Sequence, residues 1–93
     1  SRVEPKLETP REYAELLFEA VVRRLANKER SFDFRLGALY LLLMLYELQP
    51  GRPRAAVPVL ETQWSAFEQL AEELRTLRLP WKPSTYFLRA IRT

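Results

Sequence analysis

The chain has 93 residues, of which 47% are hydrophobic and 12% aromatic, and this composition excludes an intrinsically disordered tail. It contains no cysteine and no histidine, which excludes disulfide bonds, thiolate metal sites and imidazole catalysis. The net charge is +3, and the whole excess lies in residues 51–93, which carry seven Lys or Arg against four Asp or Glu. The length predicts a single domain over residues 1–93, and the missing initiator methionine predicts that it is part of a longer protein.

The first helix is predicted at about residues 10–27, after an extended lead-in over residues 1–8, with Thr9 as its N-cap. Its apolar residues form two neighbouring stripes at helical spacing. The main stripe, which we expect to face the core, is Tyr13, Leu16, Leu17, Ala20, Val21 and Leu25. The second stripe is Ala14, Phe18 and Val22. Because the first stripe already provides a core face, we expect the second to face a partner.

The second helix is predicted at about residues 32–48, with Ser31 as its N-cap and Asp33 in its first turn. It has no polar strip from Leu36 to Tyr46, so it must be covered on every side. This apolar run is about half of the ~20 residues that span a bilayer. Gly37 costs roughly 1 kcal/mol against alanine, so we expect a neighbouring helix to cross closely there and Gly37→Leu to overpack the contact.

The rest of the chain predicts an extended, proline-rich connection over residues 51–61 and two further helices, at about 62–77 and 84–92. Thr62 and Ser84 are the candidate N-caps. The side chains expected to face inward are Trp64, Phe67, Leu70, Ala71, Leu74, Leu77, Tyr86, Phe87, Ala90 and Ile91. The sequence therefore predicts a compact all-α domain of about four helices, with the apolar second helix at its centre.

No pattern of catalytic, cofactor-binding or metal-ligating residues is present in the sequence. The glutamates follow solvated helix faces, and Glu72 and Glu73 are adjacent in sequence and so point about 100° apart around a helix. The polar side of the first helix is mainly glutamate, which argues against an anionic membrane surface. We therefore expect no enzyme, no cofactor and no membrane partner. The apolar surface exceeds what four short helices can cover, which predicts burial against another protein chain.

The segment from Phe34 to Leu42 reads Phe-Arg-Leu-Gly-Ala-Leu-Tyr-Leu-Leu and is followed by Leu45-Tyr46. It resembles the signature of subunit 1 of the small nuclear RNA-activating protein complex. The downstream pattern of that family is also similar. It consists of a basic, proline-containing connection, then Trp64, and finally Tyr86 and Arg89. The resemblance covers about residues 10–92. This sequence departs from the family in the 50–58 loop and in residues 79–83.

The resemblance implies a nuclear scaffold subunit of a transcription factor that binds the proximal promoter element of small nuclear RNA genes. It implies two partners as well, a Myb-repeat subunit and a zinc-containing subunit. These partners would make most of the contacts that recognise the promoter sequence. The TATA-binding protein is a possible further partner, and the family serves RNA polymerases II and III. Promoter DNA would be bound mainly through the partner subunits.

Two sets of candidate functional residues follow. The predicted partner interface combines the second stripe of the first helix with the signature residues of the second: Phe18, Val22, Arg35, Gly37, Tyr40 and Tyr46. The predicted contacts to DNA phosphate are the arginines of the basic half: Arg52, Arg54, Arg89 and Arg92. Two alternatives remain open, an ENTH- or VHS-like helical adaptor and a helix-turn-helix domain, although no helix offers the row of exposed polar side chains that reads bases.

Overall fold

The computed structural model describes residues 10–49 and 55–91, and these form four helices. The helices are α1 (Pro10–Leu25), α2 (Phe32–Glu47), α3 (Glu61–Thr76) and α4 (Thr85–Ala90). No strand occurs in these two ranges, so the prediction of an all-α fold with four helices is confirmed. The predicted lead-in over residues 1–8 and the Thr9 cap lie outside the described part of the chain.

The helix starts show which predicted caps are used. Ser31 Oγ accepts a hydrogen bond from the Phe34 amide at 3.2 Å, and Ser84 Oγ accepts one from the Phe87 amide at 3.1 Å. Both serines are therefore N-caps, as predicted. The predicted Thr62 cap is wrong, because α3 already begins at Glu61. There Gln63 Oε1 instead accepts from the Leu60 amide at 2.9 Å, which satisfies the backbone before the first turn.

The first two helices form an antiparallel hairpin closed by a six-residue loop, residues 26–31. At the closed end, Arg35 Nε donates to the Leu25 carbonyl at 2.8 Å, one of the carbonyls that the end of α1 leaves without a helical partner. The buried side chains of the hairpin come from both helices: Phe18, Val21, Val22, Leu25, Ala38, Leu39, Leu42 and Tyr46. The inner faces of α1 and α2 therefore supply half of the core.

An extended segment over residues 55–60 packs against the rest of the core. Ala55, Val57 and Val59 are buried, whereas the residues between them are exposed, and this period of two is that of an extended chain. The Val57 amide donates to the Ala90 carbonyl at 3.0 Å, which ties the segment to α4. The segment agrees with the extended connection that its prolines predict.

Aromatic side chains join the four helices. The Tyr46 ring of α2 lies 6.3 Å from the Phe18 ring of α1 and 5.5 Å from the Phe87 ring of α4. Trp81, in the connection between α3 and α4, lies 6.4 Å from the Phe67 ring of α3 and 6.2 Å from the Phe87 ring. Contacts of this kind each stabilise the fold by about 0.5–1.5 kcal/mol beyond the contribution of the buried apolar area. The two aromatic clusters meet at Phe87.

Three of the predicted partner-facing residues are instead part of this core. Phe18, Val22 and Tyr46 are 1%, 2% and 4% exposed, so their assignment to a partner interface is wrong. The reason lies in the rotation of α1, which turns Phe18 and Val22 toward α2. The main stripe is divided by it: Val21 and Leu25 are buried as predicted, whereas Tyr13, Leu16 and Leu17 are exposed. Two inward predictions near the carboxyl end are also wrong, because Leu77 and Tyr86 are exposed.

The end of α3 is a Schellman motif with an arginine at the position that usually holds glycine. The Leu79 amide donates to the Leu74 carbonyl at 2.9 Å, and the Arg78 amide donates to the Arg75 carbonyl at 3.1 Å. Arg78 has φ of +57°, the left-handed region that disfavours residues with a Cβ. The motif therefore holds Arg78 in a conformation that glycine adopts more readily.

We predict that Arg78→Gly stabilises the chain, by roughly 0.5–1 kcal/mol in the free energy of unfolding, because it relieves this strain. Urea unfolding followed by circular dichroism measures the change. Arg75→Gly, three residues earlier and inside α3, is the matched control and should destabilise by about 1 kcal/mol. A loss of stability in Arg78→Gly would contradict the prediction.

Candidate partner interface

An apolar stripe runs along the outside of α2, on the side that faces away from the core. Its members are separated by three and four residues in turn: Phe34, Gly37, Leu41, Met44 and Leu48. At 100° per residue they lie within an arc of about 80°, and at 1.5 Å per residue they extend over about 21 Å. All five are exposed, with Met44 at 53% and Leu48 at 71%. We call these five residues the outer stripe.

α1 carries three further exposed apolar side chains, Tyr13, Leu16 and Leu17. Because α1 and α2 are antiparallel, the beginning of α1 lies at the same end of the hairpin as Met44 and Leu48. Six of the eleven exposed large hydrophobic side chains in the described residues belong to these two helices, and a seventh, Leu48, is the C-cap of α2. Exposed apolar side chains grouped as they are in the outer stripe mark a protein interaction surface.

α2 was predicted to be covered on every side, but the other parts of the chain cover only one side of it. Leu39 and Leu42 are fully buried. Leu41 and Met44, each within two residues of a buried leucine, are exposed. The sequence shows no polar strip from Leu36 to Tyr46, so nothing in it distinguishes the inner side of the helix from the outer. For that reason only Gly37 of the outer stripe was assigned to the partner interface from the sequence, and the other four residues were missed.

Gly37 lies in the outer stripe, and a Cβ placed on it would meet no atom within 4 Å apart from its sequence neighbours and the backbone of its own helix. The expectation that a neighbouring helix of the same chain crosses there is therefore wrong, and so is the expectation that Gly37→Leu would overpack the core. The fold gives no reason for the glycine, which costs roughly 1 kcal/mol in a helix interior. A glycine on an exposed apolar stripe leaves room for a backbone from outside the chain.

The two remaining predicted interface residues of α2 use their polar atoms within the chain. Arg35 is half-buried, its Nε is bonded to the Leu25 carbonyl, and its Nη2 is buried with no hydrogen-bond partner. The hydroxyl of Tyr40 donates to the Pro80 carbonyl, and the Tyr40 ring lies 6.2 Å from the Trp81 ring. These contacts hold α2 against α1 and against the connection between α3 and α4.

Of the four arginines predicted to contact DNA phosphate, the structure describes only Arg89, which is exposed on α4. Arg52, Arg54 and Arg92 lie outside the described residues, so their relation to Arg89 is not defined. Within residues 10–49 and 55–91, no cluster of acidic side chains is placed to hold a metal ion. In the same ranges, none of the helices has the length and hydropathy needed to cross a bilayer.

Comparison with known proteins gives one match. A family model described as small nuclear RNA activating complex (SNAPc), subunit 1, matches residues 4–80. This range contains α1, α2, the extended segment and α3, and with them every residue of the outer stripe. The curated proteins and the solved structures that were searched contain no match to the chain.

Proposed function

The chain belongs to the family of subunit 1 of the small nuclear RNA activating complex, and we propose that it acts as the helical scaffold of such a complex. Family membership makes it a component of the transcription machinery of small nuclear RNA promoters. The scaffold role means that the domain binds other subunits through its surface and catalyses no reaction itself. The nucleus is the compartment in which this role would be carried out.

The proposed partners are a Myb-repeat subunit and a zinc-containing subunit, which read the promoter sequence. The TATA-binding protein is a further proposed partner, and both RNA polymerase II and RNA polymerase III are proposed to use the complex. Phosphate contacts at Arg52, Arg54, Arg89 and Arg92 remain part of the proposal. This assignment rests on the family and not on the geometry of the domain, and the family match favours it over a trafficking adaptor.

The outer stripe is the observation that carries the scaffold role. Five residues at alternating intervals of three and four match the pattern by which one helix packs along another. The stripe extends over about four helical turns, long enough for a partner helix of similar length. Burial of its apolar surface would contribute about 25 cal/mol per Å², and Gly37 would allow close approach of the two backbones.

Gly37→Leu tests this role, because the structure separates its effect on folding from its effect on binding. In the isolated chain the new side chain meets open space and leucine is the better helix former, so the melting temperature should stay the same or rise. In the full-length protein expressed in cells, co-purification of the Myb-repeat subunit should be lost. Tagged purification from nuclear extract, with both proteins quantified, makes the measurement.

Gln69→Leu is the matched control, since it places the same side chain on an exposed position of α3. It should leave co-purification unchanged. Leu41→Glu with Met44→Glu provides a second variant of the same stripe, and it should also lose the partner while the chain stays folded. Wild-type amounts of partner with both stripe variants would contradict the proposed interface.

A further inference from the structure

A cleft of about 380 Å³ lies beside the connection between α3 and α4, and three cationic side chains line it. Arg75 comes from the last turn of α3, whereas Arg78 and Lys82 come from the connection. The other lining residues are apolar: Leu79, Pro80 and Trp81. No carboxylate lines the cleft, and these three cations are three of the seven in the basic half of the chain. The cleft is therefore suited to an anion that also has an apolar part.

Arg78 provides a second, independent observation. It keeps a left-handed backbone conformation, φ +57°, at the one position of the Schellman motif where glycine is preferred. The helix dipole favours a cation at Arg75 and at Arg78, but it does not explain why a residue with a Cβ occupies the left-handed position of Arg78. Strained backbone of this kind is typical of binding sites, where the side chain is needed despite the strain.

The wall of the cleft is fixed to the core and so keeps its shape. The Pro80 carbonyl accepts the hydrogen bond of the Tyr40 hydroxyl from α2. The half-buried Trp81 ring packs against three other rings, those of Tyr40, Phe67 and Phe87. A ligand that binds here therefore meets a preformed surface and orders little of the chain.

We propose that this cleft binds the sugar–phosphate backbone of duplex DNA, without regard to base sequence. The guanidinium groups of Arg75 and Arg78 would pair with phosphate oxygens, and Lys82 would add a point charge. Leu79, Pro80 and Trp81 offer an apolar surface to the deoxyribose. The proposal rests on the proposed function only in placing the domain at a promoter, and it assigns the contact to residues other than the four arginines named from the sequence.

The carboxylate that pairs with Arg75 does not oppose this binding. Glu72 Oε2 lies 2.6 Å from Arg75 Nη1, and both side chains are largely exposed. An exposed ion pair of this kind is worth little in water, so a phosphate can replace the carboxylate. Both a phosphodiester and a peptide carboxylate can pair with a guanidinium, and the proposed place of the domain at a promoter selects the DNA backbone.

The test uses the triple variant Arg75→Gln, Arg78→Gly and Lys82→Gln in the full-length protein, purified with the subunits it assembles with. Fluorescence anisotropy would measure binding to a labelled duplex that carries a small nuclear RNA promoter, and to a scrambled duplex, at several salt concentrations. We expect weaker binding to both duplexes by the same factor. The slope of log affinity against log salt should fall by about 0.9 for each lost phosphate contact, or up to about 2.7.

Arg23→Gln, Arg24→Gln and Lys28→Gln together make the matched control, because they remove the same charge from exposed positions of α1 and its loop. This control should bind both duplexes with a slope closer to that of the wild-type protein. Equal slopes for the wild-type protein and the cleft variant would overturn the proposal. So would loss of a partner subunit from the cleft variant, because the cleft would then be a protein interface. If Gly37→Leu prevents assembly with the partner subunits and the cleft variant does not, the partner interface and the DNA contact are tested independently.

Discussion

Phe18→Glu combined with Val22→Glu should unfold the isolated chain. Both side chains are buried between α1 and α2, and the Phe18 ring lies 6.3 Å from the ring of Tyr46. Each substitution removes apolar burial and places an unpaired carboxylate in the core, which costs several kcal/mol. A small domain has only about 5–15 kcal/mol of stability in total. The helical circular-dichroism signal at 25 °C should therefore be lost.

The matched control is Leu16→Glu combined with Leu17→Glu, which places the same two charges on the exposed side of the same helix. This variant should keep its helical signal. A folded Phe18/Val22 variant that loses only its partner would contradict the structure and support the original assignment of that stripe to the partner interface. The two double variants thus distinguish the two possible rotations of α1 about its axis.

Phe87→Ala should lower the free energy of unfolding by about 3–5 kcal/mol, the usual effect of truncating a buried aromatic side chain. Phe87 is fully buried in a helix of only six residues, and its ring meets the rings of Tyr46 and Trp81. A helix this short is not stable alone, so α4 depends on this packing. Thermal unfolding followed by circular dichroism would measure the loss.

Tyr86→Ala, at the preceding position, is the control, because Tyr86 is 66% exposed. Its stability should stay within about 0.5 kcal/mol of the wild-type value. The hydrogen bond at this residue is unaffected, because the Tyr46 hydroxyl donates to the Tyr86 backbone carbonyl at 3.2 Å. Equal losses for the two variants would show that α4 is not anchored through Phe87.

The helices and two of their caps could be predicted because their causes are local. Ser31 and Ser84 accept hydrogen bonds from amides three residues away, and such contacts depend on neighbouring residues alone. The predicted helices begin and end within two residues of those observed in the described part of the chain. The Thr62 cap was wrong because α3 begins at Glu61, which places Thr62 inside the first turn.

The sequence predicted that the candidate site is an exposed apolar surface, but it did not predict where that surface lies. An apolar excess on α1 and α2 is visible in the composition of the two helices, and it correctly indicates exposed apolar surface. Its location was not predicted, because α1 has two apolar stripes and α2 is apolar on every side. Gly37 was identified as a place of close approach, but the structure shows open space around it. The cluster of Arg75, Arg78 and Lys82 was also missed, since these residues line one cleft only because the chain turns at the end of α3.

By itself the sequence determined the all-α class, the four helices, the excess of apolar surface and, through the Phe34–Tyr46 segment, the family. The tertiary structure alone decided which residues of the two α1 stripes face the core, which side of α2 stays exposed and which cations share a cleft. The physical reason is that helix formation depends on residues a few positions apart, whereas the rotation of a helix about its axis depends on packing against distant residues. When a helix is apolar on more than one side, only the shape and volume of its neighbours select the side that is buried.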